Sequence, residues 1–247
     1  MTLSVPSGFS LLGGANPQVF SVIPAGNRAT ATWTMQAPSA GAGTFTATGQ
    51  IASYGESWTL AHGVTVSVED PTFSGVPCTY PFYGFVQRMG KKGVTSGCAP
   101  GLYCPENPVT RWQMAHFIIR ALGTTPVAPC TGVFGDVSAT DPGCGYVERM
   151  YQLGITSGCS TAPLLYCPGQ PVTRGQMAAF MVRARMLTDP RWYPWPKPAP
   201  TFGDVPADHP FQPHVERLFL EQVTDGCALG LFCPDAPITR GLMAVFL

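Results

Sequence analysis

"LYCPGQPVTRGQMAAFMVRA", Leu165–Ala184, decides how this chain is read, because the chain repeats it. A near copy, "LYCPENPVTRWQMAHFIIRA", occupies Leu102–Ala121, and a third, "LFCPDAPITRGLMAVFL", covers Leu231–Leu247. The Thr-Arg pairs begin at Thr110, Thr173 and Thr239, 63 and 66 residues apart. Self-similarity at such a period marks a repeat architecture, whose units bury their apolar faces by stacking on one another. Each Thr is placed to cap a helix. Gln113 and Gln176 stand three residues on, where a capping box needs them, whereas Leu242 leaves Thr239 to cap alone. A cap of this kind contributes about 1 kcal/mol. Met177, Phe180, Met181 and Ala184 then form an apolar helical stripe.

The same parts precede each copy. Openings "FSGV" (Phe73), "FGDV" (Phe134) and "FGDV" (Phe202) lead into "YGFVQRMGKKG", "GYVERMYQLG" and "PHVERLFLEQ". In the second of these, Tyr146, Val147, Met150 and Leu153 share one helical face, and Gly154 with Ile155 predicts a Schellman ending. The third has Gln222 at the stop position, and its ending is not evident from the sequence. "VTSGC", "ITSGC" or "VTDGC" follows, and a loop returns to the second cysteine.

Cys98/Cys104, Cys159/Cys167 and Cys227/Cys233 each bracket that loop, and a disulfide closing it is the simplest reading. Each would stabilise by roughly 2–3 kcal/mol on the entropic account. Zinc is the rival, disfavoured because the chain has no Cys-x-x-Cys and no histidine recurs beside the pairs. Cys130 and Cys144 can pair across the opening of the second unit. Cys78 is left over: a free thiol, a competitor for the Cys130 pair, or a bond to another chain. Nine cysteines at regular spacing favour an exported, oxidised protein. Residues 1–20 have no basic start followed by an apolar core, so no signal peptide is expected there. A removed leader and a longer parent chain both fit.

Charged residues make up 11% of the 247 and balance to zero, which provides no general field for nucleic acid or an anionic membrane. No apolar run reaches the roughly 20 residues of a membrane span. Nucleophile-elbow, zincin and phosphate-loop motifs are lacking, His62, His116, His209 and His214 do not recur at one repeat position, and no carboxylate pair is marked out. The expectation is a protein that is not an enzyme, with no metal and no cofactor.

Residues 1–70 have a different texture. "ATATWTMQA" (Ala29–Ala37), "GTFTATGQIAS" (Gly43–Ser53) and "GVTVSVED" (Gly63–Asp70) alternate with period two, and "IPAGN" and "APSAGAG" supply turns. This predicts an all-β, Ig-like sandwich. With "VPSGFSLLGG" and "IPAGNRATATWTMQAPSAGAGTFTAT" it resembles the C-terminal half of bacterial extracellular Ig-like modules of the CARDB or NPCBM-associated kind. At about 70 residues against the usual ~100, its first strands are expected to be missing. "TDPRWYPWPKPAP" (Thr188–Pro200) reads as a semi-rigid spacer, its Trp192, Tyr193 and Trp195 docking on a neighbouring domain in preference to stacking on sugar rings.

The order Phe-x-Asp-Val, amphipathic helix, Ile-Thr-x-Gly, Tyr/Phe-x-Pro-x-x-Pro-Val-Thr-Arg, apolar helix resembles the S-layer homology (SLH) domain. The expected organisation is multidomain. Residues 1–70 form the partial sandwich, and mainly α repeats with disulfide-closed helix-loop-helix units cover 71–125, 126–188 and 189–247, the last with the Pro-rich linker 188–200. The resemblance implies a pseudo-threefold packing whose grooves bind cell-wall polysaccharide. Of the family's Thr-Arg-Ala-Glu phrase only the arginine carries over, as Arg111, Arg174 and Arg240. An Arg in the first helical turn, beside free backbone N–H groups, suits a carboxylate of the polymer. The family's opening Asp matches Asp136 and Asp204, and Gly75 stands there in the first unit. Thr and Gln are needed for the helix whatever the ligand, so a purely structural role stays open.

These readings imply a non-catalytic structural protein of the bacterial cell surface, anchored to wall polysaccharide, with no nucleic acid partner and no membrane span. The alternative is a self-assembling subunit of an extracellular fibre or surface layer. The incomplete sheet and a last helix stopping at Leu247 motivate it, since a neighbouring subunit could complete either.

Overall fold

The computed structural model describes residues 2–4, 10–13, 34–36, 41–53, 56–68, 72–77, 79–196 and 199–247. The chain divides into two compact units, Met1–Pro71 and Thr72–Leu247.

In the first unit the Thr-rich alternating segments become long strands. β4 (Gly41–Ser53) and β5 (Glu56–Val68) pair antiparallel in unbroken register, from Gly41 opposite Val68 to Ser53 opposite Glu56. β1 (Thr2–Ser4) pairs with the other edge of β4. β2 (Ser10–Gly13) and β3 (Thr34–Gln36) form a separate ladder with an irregularity between Leu11 and Gly13. The turn "IPAGN" and most of "APSAGAG" lie outside the described residues, as does Cys78.

The second unit holds three helix pairs: α1 (Tyr83–Lys91) with α2 (Arg111–Ala121), α3 (Cys144–Gln152) with α4 (Arg174–Met186), and α5 (Gln212–Leu220) with α6 (Arg240–Phe246). The second helix of each pair packs on the first helix of the next, α2 on α3 and α4 on α5, and α6 closes the circle on α1. In the middle, three backbone hydrogen bonds form a triangle. Val109 N donates to Ile238 O (2.9 Å), Ile238 N to Val172 O (2.9 Å), and Val172 N to Val109 O (2.8 Å). All three side chains are fully buried, which is why the residue before each Thr-Arg pair is β-branched and apolar.

Helix ends follow local chemistry. The Thr110 and Thr173 hydroxyls accept from Gln113 N (3.2 Å) and Gln176 N (3.3 Å), and Thr110 N and Thr173 N in turn donate to Gln113 Oε1 (3.3 Å) and Gln176 Oε1 (3.4 Å). Thr239 accepts from Leu242 N alone. Helix α3 ends in a Schellman motif: Ile155 N reaches Met150 O, Gly154 N reaches Tyr151 O, and Gly154 has a φ of 68°. Helix α5 ends the same way, with Val223 N on Leu218 O, although Gln222 must take a φ of 57° to do so.

Where successive pairs meet, a large residue on one side faces glycine on the other. Trp112 lies against Gly143, Phe211 against Gly175, and Tyr80 against Gly241. A Cβ on Gly175 would come within 2.3 Å of the Phe211 ring, so these glycines are holes for specific aromatic knobs. The Trp112 Nε1 also donates to Asp141 (3.0 Å), and His116 stacks between Trp112 and Tyr146 at 3.9 and 4.0 Å. Each contact differs from the others, so the three seams are not interchangeable.

The spacer is less extended than its prolines suggest. Pro190–Trp192 is a 3-10 turn capped by Asp189, and Trp192 packs on the core beneath the Arg185 guanidinium. Tyr193 and Trp195 stay largely exposed and contact each other edge-on at 5.0 Å.

The left-handed conformation at Gln222 costs an L-residue roughly 1 kcal/mol that glycine avoids. Gln222→Gly is therefore expected to raise unfolding stability by about that amount, read as a shifted urea midpoint at unchanged slope. An unchanged or lowered midpoint would refute the assignment.

Candidate functional site

The three Thr-Arg pairs and the loops around them are the part of the chain that sequence marks most strongly. Each arginine is almost fully buried, at 2%, 5% and 2% exposure for Arg111, Arg174 and Arg240. Each reaches into the next unit. Arg111 Nε donates to Tyr166 O (2.7 Å), Arg174 Nε to Phe232 O (2.8 Å), and Arg240 Nε to Tyr103 O (2.7 Å). Each guanidinium also lies over the ring of that same residue, at 4.8, 4.8 and 4.7 Å. Phe180 and Phe117 add a second ring to Arg111 and Arg240. Two tyrosines return the bond: Tyr166 Oη donates to Arg111 O (2.8 Å) and Tyr103 Oη to Arg240 O (2.7 Å).

The helix N-termini are occupied as well. The backbone N–H groups of Arg111, Arg174 and Arg240 donate to Gln170, Ala236 and Asn107. Those of Trp112, Gly175 and Gly241 donate to Pro168, Pro234 and Pro105. The Cys-Pro-x-x-Pro loop of each next unit thus wraps the start of the Thr-Arg helix. The N–H groups expected to be free for an anion are spent on protein carbonyls, and the guanidiniums face seams between units. Burial lowers the pKa of all three arginines. The Nε hydrogen bonds and ring faces offset part of that desolvation, and the Nη2 of Arg111 and of Arg174 is buried with no hydrogen-bond partner among the described residues.

Asp136 and Asp204 are also engaged within the protein. The two carboxylate oxygens of Asp136 accept from Tyr166 N and Cys167 N, both at 2.7 Å. Those of Asp204 accept from Phe232 N (2.8 Å) and Cys233 N (2.7 Å). Both cysteines that receive this clamp have left-handed backbones, with φ of 57° and 58°. The carboxylate holds a turn that an L-residue otherwise disfavours.

Four disulfides close the loops: Cys98–Cys104, Cys159–Cys167, Cys227–Cys233 and Cys130–Cys144, each with Cα atoms 6.0 Å apart. Cys130, Cys144 and Glu148 lie close together, as do Asp136, Cys159 and Cys167. Their sulfurs are oxidised in pairs, so these groups offer no thiolate to a metal. In each ITSGC-type turn, Gly97, Gly158 or Gly226 has a φ near 90–100°, and a Cβ there would strike the carbonyl of Leu102, Leu165 or Leu231.

Sequence reasoning passed over one recurring position, the Glu or Gln after Val in each first helix. Glu148 is buried and accepts from Thr131 N, Thr131 Oγ1 and Val133 N at 2.8–3.0 Å. Burial alone would raise its pKa, but these donors hold it below the usual carboxylate value. Gln87 and Glu216 take the same part at Thr72 and Thr201. The recurring "V-Q/E-R" was the available signal.

No known family's sequence profile matches the chain. Over 124 residues it is 27% identical to a protein named "Cell surface protein" from Thermoanaerobacter kivui. The match spans 49% of this chain and 16% of that protein's length.

Two outcomes are expected of these seams. Arg174→Ala leaves Phe232 O without its donor and opens a hole, and is expected to cost about 2–4 kcal/mol in chemical unfolding; a loss below about 0.5 kcal/mol would contradict a seam role. His214, in α5, has a buried Nδ1 with no partner among the described residues. Burial, then Arg183, lowers its pKa from 6.5 to about 4. Its folded value lies below its unfolded one, so its contribution is complete above about pH 6.5 and is lost as pH falls toward 4. Burial lowers the pKa of His116 too, which acts in the same direction. Stability should therefore drop between pH 6.5 and 5, with His214 contributing about 1 kcal/mol per pH unit and His116 adding in the same direction. His214→Gln should flatten that slope, and a wild-type profile flat over this range would rule the effect out.

Proposed function

We propose that this chain is a non-catalytic structural protein of the cell envelope, built on three repeats of S-layer homology type with an Ig-like module ahead of them. The observation that carries the reading is the cyclic interlock, in which every Thr-Arg helix is seated in the next unit and the third unit closes on the first. The similarity to a cell surface protein and the four disulfides fit an extracellular, surface location. Among the described residues no helix is long and apolar enough to cross a membrane.

In this reading the repeats attach to wall polysaccharide along the grooves between units. The arginines act by holding the groove walls together, and the exposed loop residues meet the polymer. Self-assembly into a fibre or layer is the second reading, favoured by a groove of about 480 Å³ beside α6, at the seam of the third and first units. Phe85, Met89, Val223 and Phe246 give it an apolar floor, and Arg88 and Lys92 line it as well. A helical turn from a neighbouring subunit would bury these side chains.

Co-sedimentation with purified sacculi tests both. Binding to intact sacculi that is lost once the attached polysaccharide is chemically stripped is the expected result. No sedimentation with either preparation, together with ordered fibres in the supernatant by electron microscopy, would replace anchoring with assembly.

A further inference from the structure

We propose that the first unit carries an open carboxylate-binding site, formed by the backbone N–H groups of Tyr103 and Cys104 where Gly75 takes the place of an aspartate. The chain contains its own comparison. In the second unit Asp136 receives the N–H groups of Tyr166 and Cys167, and in the third Asp204 receives those of Phe232 and Cys233. Tyr103 and Cys104 are the matching pair in the first unit. Cys104 has the same left-handed backbone, with a φ of 54°. Among the described residues neither N–H has an acceptor. The turn therefore presents two adjacent donors in the arrangement that holds a carboxylate twice elsewhere in the molecule.

Charge is a second and independent observation. Asp136 acts electrostatically on the buried Arg111, and Asp204 on the buried Arg174, in each case favouring the guanidinium's charge. For Arg240, equally buried, the supporting charge is the Tyr103 hydroxyl, and its further contacts, Thr95 Oγ1 (3.4 Å) and the Phe117 ring, carry no charge. The first unit thus combines a pair of N–H donors lacking the aspartate of its counterparts with a buried cation on which, among the described residues, no carboxylate acts; Glu106, two residues beyond Cys104, is hydrogen-bonded to Tyr80 instead. An incoming carboxylate would answer both, with charge-assisted hydrogen bonds to the two N–H groups.

The space is accessible. A Cβ at Gly75 would meet only Leu102 Cδ2, at 3.1 Å, and Leu102 is 43% exposed and can turn away. Gly75 is not among the glycines with positive φ, so its backbone accepts a side chain. The ligand class is a single carboxylate reaching in from solvent. Its source is an acidic sugar, a small organic acid, or an acidic group on another protein molecule. The inference does not depend on whether the grooves between units bind polysaccharide.

The test is an amide-resolved NMR titration of the full ¹⁵N-labelled chain with acetate and with glucuronate, against chloride at equal ionic strength. Saturable shifts are expected at Tyr103 and Cys104, with a dissociation constant on the order of millimolar, and not at Tyr166, Cys167, Phe232 or Cys233. Tighter binding of glucuronate would assign the source to sugar, and equal binding to a simple organic acid. Shifts of the same two amides on raising protein concentration alone would assign it to a second protein molecule. Gly75→Asp supplies the missing carboxylate internally, and should abolish the titration while keeping the fold and raising the melting temperature. Unresponsive Tyr103 and Cys104 amides, responses equal to those of the other two loops, or an undiminished titration in Gly75→Asp would each overturn the proposal.

Discussion

A buried guanidinium seated on the aromatic ring and carbonyl of the next unit is the contact on which the helical part depends. It occurs three times and points the same way round each time, from Arg111 to Tyr166, from Arg174 to Phe232 and from Arg240 to Tyr103. One such contact would merely join two helices. Three in sequence form a ring, and a ring removes the exposed end that a linear stack of repeats has to cap. Arginine suits this place better than lysine. It stays charged when buried, stacks on a ring face, and still directs a planar N–H at a carbonyl.

The remaining features serve those seams. The Thr caps set where each helix begins, and so how far its arginine projects. The β-branched residue before each Thr anchors the central triangle of backbone bonds. The loop that receives the helix is short and carries a strained cysteine, and it keeps its shape through a disulfide and, in two units, an aspartate clamp. The large-to-small pairs Trp112–Gly143, Phe211–Gly175 and Tyr80–Gly241 make each seam different. Near-identical repeats can assemble in the wrong order, and unequal seams penalise that.

What could be read from the sequence was local. Capping boxes, the cysteine pairs and the Schellman stop at Gly154 involve residues within a few positions of each other, and their chemistry is written in adjacent letters. The ending of α5 was not evident because Gln222 takes a glycine's conformation there, held by Val223 N on Leu218 O. The roles of Arg111, Arg174 and Arg240 were hidden for another reason. Their partners lie 55, 58 and 137 residues away. A charged residue in a first helical turn looks like a surface group until its neighbour is known. Asp136 and Asp204 were marked out by the repeat, but only the fold shows their oxygens turned inward on a turn 28–31 residues away.

Closure of the ring has a consequence for the order in which the chain can mature. Ribosomes deliver the first unit well before the third, yet the carbonyl of Tyr103 waits for Arg240, 137 residues later. Until then the α1 face that α6 will cover is bare, and a nascent or translocating chain exposes it throughout. The four crosslinks span only 6, 14, 8 and 6 residues. Each can be oxidised as its own unit emerges, with no partner still to come. Covalent chemistry can thus be completed unit by unit, while non-covalent closure has to wait for the last helix and is of high contact order. A chain halted before its last helix would be fully crosslinked and still unsealed.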